Sequence, residues 1–365
     1  MKKALLIVVG SLLLTISQWY AFFLVSQLSF IILSELIGSI VFMTGFITRA
    51  MGSVFFGHIG DRINRKTALI LTGIILIISS ILLTFFPNTV SLLVSRLLQG
   101  FSLGGEWGGA STIIVEMYSS YKFRGFIASF IQLAVPIAVI LSSSTIILIP
   151  IDKWNYSFII IIILSMISLI LVKDMDSELV VPSRSKLPLL EAIRDDWKNI
   201  LKAIGIKVTE SAIFYIFTSF IFAESSLTRS IASIVLLSIS LQLFFLPFFG
   251  YLSDIIGRKM VVVVGLIIAV LGIFSFFFSV ALGEILFSIS DSALYAPQSS
   301  IFTEIFDKKY RVTASNLSYQ IASVLGGALA PLLIRETNSQ LVIIVYICIT
   351  LICVLLIKET KGASV

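Results

Sequence analysis

Charged residues are scarce in this sequence of 365 residues. They make up 13% of the chain, whereas hydrophobic residues make up 58%. A soluble domain contains about a quarter charged residues, so this composition excludes an ordinary soluble protein. The mean hydropathy of +1.08 is that of a chain embedded in lipid, and we therefore expect the lipid bilayer to surround it.

Cysteine and histidine are almost absent. Cys348 and Cys353 lie close together in the last apolar run, which predicts packing residues without a disulfide or metal role. The single histidine, His58, excludes a histidine-rich metal site. The sequence also shows no nucleophile with a base and no glycine-rich phosphate loop. We therefore expect no metal, no cofactor and no enzyme. A membrane-embedded enzyme acting on lipid-linked substrates is the alternative that these absences disfavour.

Long apolar runs, by contrast, are abundant. A spanning helix needs about 20 mostly apolar residues, and twelve such runs predict an all-α membrane protein with twelve transmembrane helices. The first run follows a basic tip, as in a signal peptide, but no small-residue cleavage site follows, so we expect an uncleaved helix. The predicted spans are 4–27, 33–57, 67–86, 89–118, 124–149, 154–172, 199–223, 228–249, 260–280, 282–306, 312–334 and 339–357.

One long polar segment divides these spans. Residues 173–198 contain two prolines and most of the concentrated charge, which predicts a cytoplasmic linker. The predicted domains are therefore an N-terminal six-helix bundle at 1–172 and a C-terminal six-helix bundle at 199–365.

Basic residues fall mostly on one predicted side of the membrane. With both termini placed in the cytoplasm, nineteen Lys and Arg residues lie inside and only Lys153, Arg229 and Arg335 lie outside. Cytoplasmic loops carry such a basic excess in membrane proteins. The bias predicts a multi-pass protein of the cell membrane with both termini in the cytoplasm. It also explains the net charge of +6 without a nucleic-acid partner.

Two stretches of the sequence repeat. GHIGDRINRK at 57–66 and GYLSDIIGRK at 250–259 share one pattern, 193 residues apart. A second motif also recurs, in which a glutamate precedes a basic loop. Glu116 precedes the loop that ends at Arg124, Glu304 precedes the loop that ends at Arg311, and the two glutamates are 188 residues apart. Two motifs that recur at matching places predict a duplicated six-helix unit with pseudo-two-fold symmetry.

The chemistry of these loops predicts turns and a gate. Glycine in these motifs permits a sharp reversal between two helices, and Asn64, in the second glycine position, is the next best residue for a left-handed backbone. Asp61 can cap the following helix or meet a neighbouring helix N-terminus. An ion pair of Asp61 or Asp254 with an arginine of the second loops would hold the cytoplasmic face closed. The candidate gate residues are Asp61, Arg65, Glu116, Arg124, Asp254, Arg258, Glu304 and Arg311.

The fourth span contains both signs of charge and a row of glycines. Glycines recur every four residues from Gly100 to Gly108, which predicts a stripe along which two membrane helices approach closely. Arg96 continues this ridge, whereas Glu106 lies about 200° round the helix from Gly104. Arg96 and Glu106 are about 15 Å apart along the axis, so each needs its own partner.

Ionisable residues within spans by default face a wet cavity or a counter-ion. Arg96 suits a carboxylate substrate, with a structural ion pair as the alternative. Glu106 suits a proton site, with a helix–helix hydrogen bond as the alternative. Glu210 is a further candidate for substrate or proton binding, but it follows Lys207 by three residues on the same face, which favours a local ion pair. Three further residues either bind substrate or satisfy a neighbouring helix: Tyr20, Gln99 and Gln132.

The repeated loops, the twelve spans and the central linker together resemble the major facilitator superfamily. Within it, RLLQGFSLGGEWGGA at 96–110 is similar to the fourth-helix signature of the metabolite:proton symporter family. Further matching segments are 49–66, 124–138 and 304–331. The resemblance implies two rocking bundles with one substrate site near the membrane midplane, protons as the coupling ion, and a monomer.

The first helix departs from the family pattern. The family usually has Glu-Trp-Tyr-Asp-Phe where this chain reads Gln18-Trp19-Tyr20-Ala21-Phe22. Both acids of that motif are missing, so the family resemblance leaves the proton carrier open. Asp291 lies near the middle of the tenth span, which lines the cavity in the superfamily, and is a candidate replacement.

The resemblance and the charged spans favour a secondary active transporter. The expected substrate is a small organic acid or zwitterionic metabolite, because an arginine in the path attracts negative charge. A uniporter or exporter of a sugar or other neutral solute is the alternative within transport. A receptor that binds its ligand without moving it is a third possibility, which the missing first-helix acids leave open.

Overall fold

The structure is a computed structural model that describes residues 2–33, 35–173, 187–220, 229–337, 339 and 341–363. Within these ranges every regular element is helical, which confirms the all-α prediction. The α-helices are α1 (Lys2–Ile32), α2 (Glu35–Arg62), α3 (Arg65–Phe85), α4 (Thr89–Met117), α5 (Arg124–Gln132), α6 (Ala134–Leu148), α7 (Ser157–Val172), α8 (Pro188–Tyr215), α9 (Arg229–Ile256), α10 (Arg258–Ser275), α11 (Val280–Tyr295), α12 (Gln298–Ile305), α13 (Arg311–Ala322), α14 (Leu329–Thr337) and α15 (Val342–Leu356).

Six helical segments in the described ranges are long and apolar enough to cross a membrane. Val342–Leu356 is apolar but shorter. The number of twelve spans therefore stays a prediction. The six segments are Leu5–Ser29, Arg65–Phe85, Arg124–Leu148, Asp152–Val172, Ser233–Ile256 and Arg258–Ser275.

The chain forms two compact units, and each combines separate stretches of sequence. The first unit contains Met1–Met117, Ala134–Ala192 and Asp307–Gln320. The second unit contains Tyr118–Leu133, Ile193–Phe306 and Ile321–Val365. Each unit thus includes one short stretch, 307–320 or 118–133, from the other side of the predicted linker. The division into 1–172, 173–198 and 199–365 stays a prediction.

Close packing of α2 against α4 organises the first unit. A Cβ atom on Gly100 would collide with the carbonyl of Gly45, and one on Gly104 would collide with the carbonyl of Arg49. From the other side, a Cβ on Gly52 would collide with the carbonyl of Phe101. The predicted small-residue stripe is confirmed, because only glycine allows the two backbones to approach this closely.

In the second unit, α9 packs against α5 and α11, and α10 packs against α11 and α15. Pro297 lies between α11 and α12 and precedes the first residue of α12. Regular α-helix also gives way to π-helical turns at Ile216–Phe220 and Ser323–Ala328. Such turns interrupt the backbone ladder and are frequent at functional sites.

The predicted linker is partly helical. Helix α8 begins at Pro188, inside the predicted segment 173–198, of which residues 174–186 lie outside the described ranges. Proline is favoured in the first turn of a helix, because its missing N–H has no intrahelical partner there. The proline that indicated a linker therefore starts a helix.

The repeated loops differ from the expected turns. Gly57 and Gly250 lie inside α2 and α9, and the helices break at the second glycine position of each motif, which is Asn64 or Gly257. The left-handed prediction for Asn64 is wrong: its φ is −171°, and its side chain accepts a hydrogen bond from the Thr67 N–H at 2.6 Å. Asn64 thus caps α3. The equivalent residue of the second loop, Gly257, has a φ of +104°.

We expect Gly257→Ala to destabilise the protein by about 1–3 kcal/mol, because φ and ψ of 104° and 152° belong to a region almost exclusive to glycine. The new Cβ would also lie 2.7 Å from a carboxylate oxygen of Glu359. Thermal unfolding in detergent measures the change.

Gly109→Ala is the matched control for Gly257→Ala. A Cβ at Gly109 meets nothing within 4 Å, and the residue lies inside α4. Alanine favours a helix interior by about 1 kcal/mol over glycine, so this variant should equal or exceed the wild type in melting temperature. Equal effects of the two substitutions would contradict the assignment of strain to Gly257.

Candidate functional site

The first ionic cluster lies in the first unit and consists of Asp61, Arg65, Glu116 and Arg311. The Asp61 carboxylate accepts hydrogen bonds from the backbone N–H groups of Val312 and Thr313, at 3.1 and 2.8 Å. These residues form the first turn of α13, where N–H groups lack intrahelical partners and partial positive charge gathers. Asp61 therefore caps the start of a helix that is distant in sequence.

Glu116 completes the first ionic cluster. Its carboxylate forms ion pairs with Arg65 and with Arg311, the latter at 2.7 Å. The backbones come close beside this cluster, because a Cβ on Gly57 would lie 2.6 Å from the Cα of Thr313. The missing side chain of Gly57 thus allows α2 to pack closely against α13.

The second ionic cluster lies in the second unit and repeats this arrangement. It consists of Asp254, Arg258, Glu304 and Arg124. The Asp254 carboxylate accepts from the N–H groups of Gly125 and Phe126, in the first turn of α5, at 3.0 and 2.7 Å.

Glu304 and Asp254 bind the arginines of the second ionic cluster. Glu304 pairs with Arg124 at 2.8 Å and with Arg258 at 3.4 Å. Arg258 also pairs with Asp254 at 2.6 Å. Gly250 again lies at the close approach, since its Cβ would collide with Ser129 of α5. Every principal contact of the first cluster therefore has a counterpart in the second.

The prediction that Asp61 meets a neighbouring helix N-terminus is confirmed by its hydrogen bonds with the first turn of α13, and Asp254 has the same arrangement on α5. We also expected an ion pair of Asp61 or Asp254 with an arginine of the second loops. The ion pairs described instead join Arg311 to Glu116, Arg124 to Glu304 and Arg258 to Asp254. The reason is geometric: two adjacent helix-terminal N–H groups match the two oxygens of one carboxylate.

Asp61 lies beyond the predicted span 33–57, and burial raises the pKa of its carboxyl to about 6, although Arg65 and the Thr313 N–H oppose this shift. The usual value is about 3.9. Between these two values the native state binds more protons than the unfolded state. The Asp61 contribution to the free energy of unfolding therefore falls as the pH rises from about 4 to about 6, by at most about 3 kcal/mol.

Asp61→Asn cannot ionise, so it lacks this pH dependence. We expect its melting temperature, relative to that of the wild type, to rise as the pH increases from about 4 to about 6 and to level off above. Thermal unfolding of both proteins in detergent over this range measures the difference. If the melting temperature of Asp61→Asn relative to the wild type fell as the pH rises, the surroundings of Asp61 would favour the ionised carboxylate over the protonated carboxyl.

Within the spans of the second unit, one lysine and two carboxylates lie together. Lys207 and Glu210 form the predicted ion pair. Asp291 of α11 lies within electrostatic range of both, and it accepts a hydrogen bond from the Gln242 amide at 2.7 Å. The Lys207 ammonium is also 4.8 Å from the ring centre of Tyr295. We name Lys207, Glu210 and Asp291 the buried triad; all three are at least 96% buried.

Two charged candidates of the first unit, Arg96 and Glu106, each have their own partners. Arg96 donates to the Phe22 carbonyl at 2.7 Å, and its guanidinium lies 3.6 Å from the centre of the Phe22 ring. Glu106 accepts a hydrogen bond from Thr15. No direct Arg96–Glu106 pair occurs among the contacts described, in agreement with their predicted separation of about 15 Å along the helix axis.

The remaining candidates are three polar residues. Tyr20 and Thr145 share a hydrogen bond of 2.6 Å, and the Gln132 amide donates to the Tyr295 carbonyl at 3.0 Å. Gln99 is buried, and neither atom of its amide has a hydrogen-bond partner in the described part of the chain. It is therefore the candidate whose polar atoms most need a ligand.

A row of contacts along α13 was not predicted from the sequence. Asn316 accepts from the Gly108 N–H at 2.8 Å, and Gln320 accepts from the Arg49 guanidinium at 2.8 Å. Asn316 and Gln320 lie one turn apart on the face that begins with Thr313. This three-to-four-residue spacing of polar residues was the signal that could have found them.

Arg49 is the most prominent residue that the sequence analysis missed. Its guanidinium lies 5.0, 5.1 and 5.3 Å from the ring centres of Trp19, Phe22 and Phe46. Cation–π contacts at these distances favour a buried cation. The sequence assigned Arg49 no role, because the aromatic partners Trp19 and Phe22 lie on α1 and leave no mark in the sequence around Arg49.

No group of three metal-ligating side chains occurs in the described ranges. A cleft of about 750 Å³ lies where α3 meets α4, lined by Leu82, Phe86 and residues 88–91. It contains no ionisable side chain, and none of the candidate residues lines it. We therefore assign it no role.

Comparison with known proteins identifies the class. The family model of the Major Facilitator Superfamily matches residues 6–228 and 204–364. The chain therefore belongs to the Major Facilitator Superfamily. The relatives and solved structures that it matches are membrane transporters and not enzymes. The superfamily resemblance of the sequence is confirmed.

Curated relatives narrow the class to transporters of the metabolite:proton symporter type. The chain is 29% identical over 329 residues to the shikimate transporter of Escherichia coli K12, covering 80% of this chain and 75% of the relative. It is 27% identical over 371 residues to an inner membrane metabolite transport protein of the same organism, covering 88% and 84%. It is 26% identical over 383 residues to a glycine betaine, proline, ectoine and pipecolic acid transporter of Dickeya dadantii, covering 88% and 76%.

Solved structures confirm the fold. The fucose:proton symporter of E. coli superposes with a TM-score of 0.77 at 14% identity, over 98% of both chains. A proton:xylose symporter superposes with a TM-score of 0.73 at 16% identity, over 99% of this chain and 96% of that one. At such identities the likeness is one of fold alone.

Proposed function

We propose that the protein is a proton-coupled secondary transporter that moves a small organic acid or zwitterionic metabolite by alternating access. Transport itself follows from the superfamily. The coupling and the substrate class rest on the ionisable groups buried within the spans, together with the relatives. The observation that carries the proposal is the buried triad.

The buried triad supplies a reason for proton coupling. When all three groups are ionised, Lys207, Glu210 and Asp291 carry a net charge of −1 inside the spans. One proton makes the group neutral. Isolated charge is costly in this environment, so a proton on Asp291 would remove a cost that the Lys207–Glu210 pair leaves uncompensated. This role also replaces the two acids that are missing from the first helix.

Arginines in the first unit support an anionic or zwitterionic substrate. Arg96 and Arg49 are each at least 99% buried. A carboxylate is the natural partner of a guanidinium. Shikimate has a carboxylate, and proline and betaine are zwitterions, so the substrates in the names of the relatives fit this chemistry. Gln99 and Tyr20 are the proposed neutral contacts in this unit, and Glu106 is a second proposed proton site.

The repeated ionic clusters support a gate and an internal symmetry. We propose that both clusters hold the cytoplasmic face closed, with Asp61 and Asp254 at helix N-termini and Glu116 and Glu304 between arginines. Equivalent contacts at two places fit the predicted twelve spans in two six-helix bundles with pseudo-two-fold symmetry. Both termini and the linker would lie in the cytoplasm of a monomer in the cell membrane.

Uptake into proteoliposomes tests the proposal. Labelled shikimate, proline and glycine betaine are the probes, with glucose for the neutral alternative. We expect one of the first three to enter faster when the outside is acidified, because a symporter uses the inward proton gradient. A uniporter would show no acceleration, and uptake of glucose alone would contradict the proposed substrate class.

The Arg96→Ala variant tests the substrate site in the same assay. We expect uptake to fall at least about tenfold, equivalent to the loss of about 1.4 kcal/mol of binding, while the protein still folds and shows a cooperative thermal transition. Arg62→Ala, at the exposed end of α2, is the matched control. Undiminished uptake by Arg96→Ala would show that Arg96 does not bind substrate and has only a structural role in its contact with Phe22.

A further inference from the structure

We propose that Glu284, Ser288 and Ser238 form a proton path that leads along α11 to Asp291. This inference rests on the proposed role of Asp291 as proton carrier. It adds the route by which the proton arrives and names the first group that accepts it.

Glu284 is a buried carboxyl group that has no role in the transport mechanism proposed above. Its side chain is fully buried, and neither carboxyl oxygen has a hydrogen-bond partner in the described part of the chain. A buried polar group of this kind requires an explanation. Glu284 lies one turn inside α11, which begins after the capping residue Ser279. The predicted topology places that end of α11 at the outer face.

Helix geometry brings Glu284 and Asp291 onto one face. Seven residues turn an α-helix by nearly two full turns, so the two side chains lie within about 20° of each other and about 10 Å apart along the axis. Ser288 lies between them on the same side, one turn after Glu284. The sequence therefore places carboxyl, hydroxyl and carboxyl groups in a row.

Helix α9 supplies the facing side of the path. The Ser288 hydroxyl donates to the Ser238 carbonyl. One turn further along α9, the Gln242 amide donates to Asp291 at 2.7 Å. The Ser238 hydroxyl is buried and has no hydrogen-bond partner among the described residues. Two helices thus contribute polar side chains to one strip, and unpartnered atoms lie on both sides of it.

The proton balance of the path is simple. A proton leaves the Glu284 carboxyl and reaches the Asp291 carboxylate through the serine hydroxyls and bridging water, which two to four polar partners can hold at a buried site. Glu284 becomes ionised and Asp291 neutral, so no other reactant is needed. The charged groups within electrostatic range of Asp291 are Lys207 and Glu210. They determine where the proton rests, whereas Glu284 determines how fast it arrives.

Hydrogen–deuterium exchange of the Asp291 carboxyl tests the path without a substrate. The purified full-length protein is placed on an infrared reflection cell and switched from H₂O to D₂O buffer. The carboxylic C=O band that disappears in Asp291→Asn is followed in time. We expect Glu284→Gln to slow the exchange of this band at least about tenfold, equivalent to about 1.4 kcal/mol in the barrier. Ser238→Ala should slow it in the same direction.

Two further variants separate a path from a merely structural role. Glu284→Asp keeps a carboxyl group and should restore exchange toward the wild-type rate, whereas a packing defect would not distinguish Asp from Gln in this way. Glu336→Gln, at the exposed end of α14, is the matched control and should exchange as the wild type does. Equal exchange rates in wild type and Glu284→Gln would overturn the path. Absence of any band assignable to Asp291 would instead overturn its proposed role as carrier.

Discussion

Asp291→Asn is expected to abolish uptake driven by an inward proton gradient while preserving the exchange of labelled for unlabelled substrate across the membrane. Asparagine imitates the protonated carboxyl, so the buried triad would be held permanently in its neutral state. Exchange needs only the loaded transporter to alternate, whereas uphill uptake needs the proton to leave. We expect gradient-driven uptake to fall at least about tenfold, and more where release limits the rate.

The local structure should tolerate Asp291→Asn. The Gln242 amide donates to a carboxylate oxygen of Asp291 at 2.7 Å, and the side-chain carbonyl of asparagine can accept the same bond. The Lys207–Glu210 pair remains as it is. The melting temperature should therefore stay close to that of the wild type, and a lost activity would reflect coupling and not folding.

Asp152→Asn provides the matched control, because Asp152 is an exposed aspartate outside the α-helices. It should retain both gradient-driven uptake and exchange. If Asp291→Asn also retained gradient-driven uptake, Asp291 would not carry the proton, and Glu106 would become the leading candidate. If it lost exchange as well, Asp291 would serve substrate binding or the conformational change.

Local patterns in the sequence predicted the contacts that depend on the period of a single helix. The spacing from Gly100 to Gly108 predicted a close helix contact, and α2 supplies it at Gly45 and Arg49. The three-residue separation of Lys207 and Glu210 predicted their ion pair. Each of these depends on the period of one helix, which the sequence contains in full.

The long-range contacts were beyond the reach of such patterns. Arg49 and Gln320 are separated by 271 residues, and Asp61 and Thr313 by 252. Which N–H groups a carboxylate meets depends on how two helices slide against each other, and no local period records that offset. Glu284 was missed for a different reason: it lies two residues inside the predicted tenth span, which begins at 282, and no local pattern marks a partner for it.

Glu116→Gln is expected to open the first ionic cluster. The substitution leaves Arg65 and Arg311 buried without the carboxylate that binds both. Removing one partner of a buried ion pair costs about 3–5 kcal/mol, and about 5.5 kcal/mol is enough to invert a two-state equilibrium from 1:99 to 99:1. We therefore expect a large shift toward the state in which α13 has left α2, and a fall in uptake.

Thiol labelling measures this opening. In a background without Cys348 and Cys353, a reporter is introduced as Thr313→Cys, because Thr313 is fully buried and lies against Gly57. Glu116→Gln should raise its labelling rate at least about tenfold, in proportion to the population of the open state. Ser120→Cys, at an exposed position, is the control and should be labelled equally in both proteins. A reporter that stays protected would show that Glu116 does not hold this contact.

The second ionic cluster allows the same experiment on the repeated sequence. Glu304 binds Arg124 and Arg258, and Ser129 is fully buried against Gly250, as Thr313 is against Gly57. Glu304→Gln should therefore expose a Ser129→Cys reporter to a similar extent. Similar responses at both positions would be expected of a gate that arose by duplication, because the same carboxylate then serves the same purpose twice. A response at Thr313 without one at Ser129 would mean that the repeated motifs share geometry but not function.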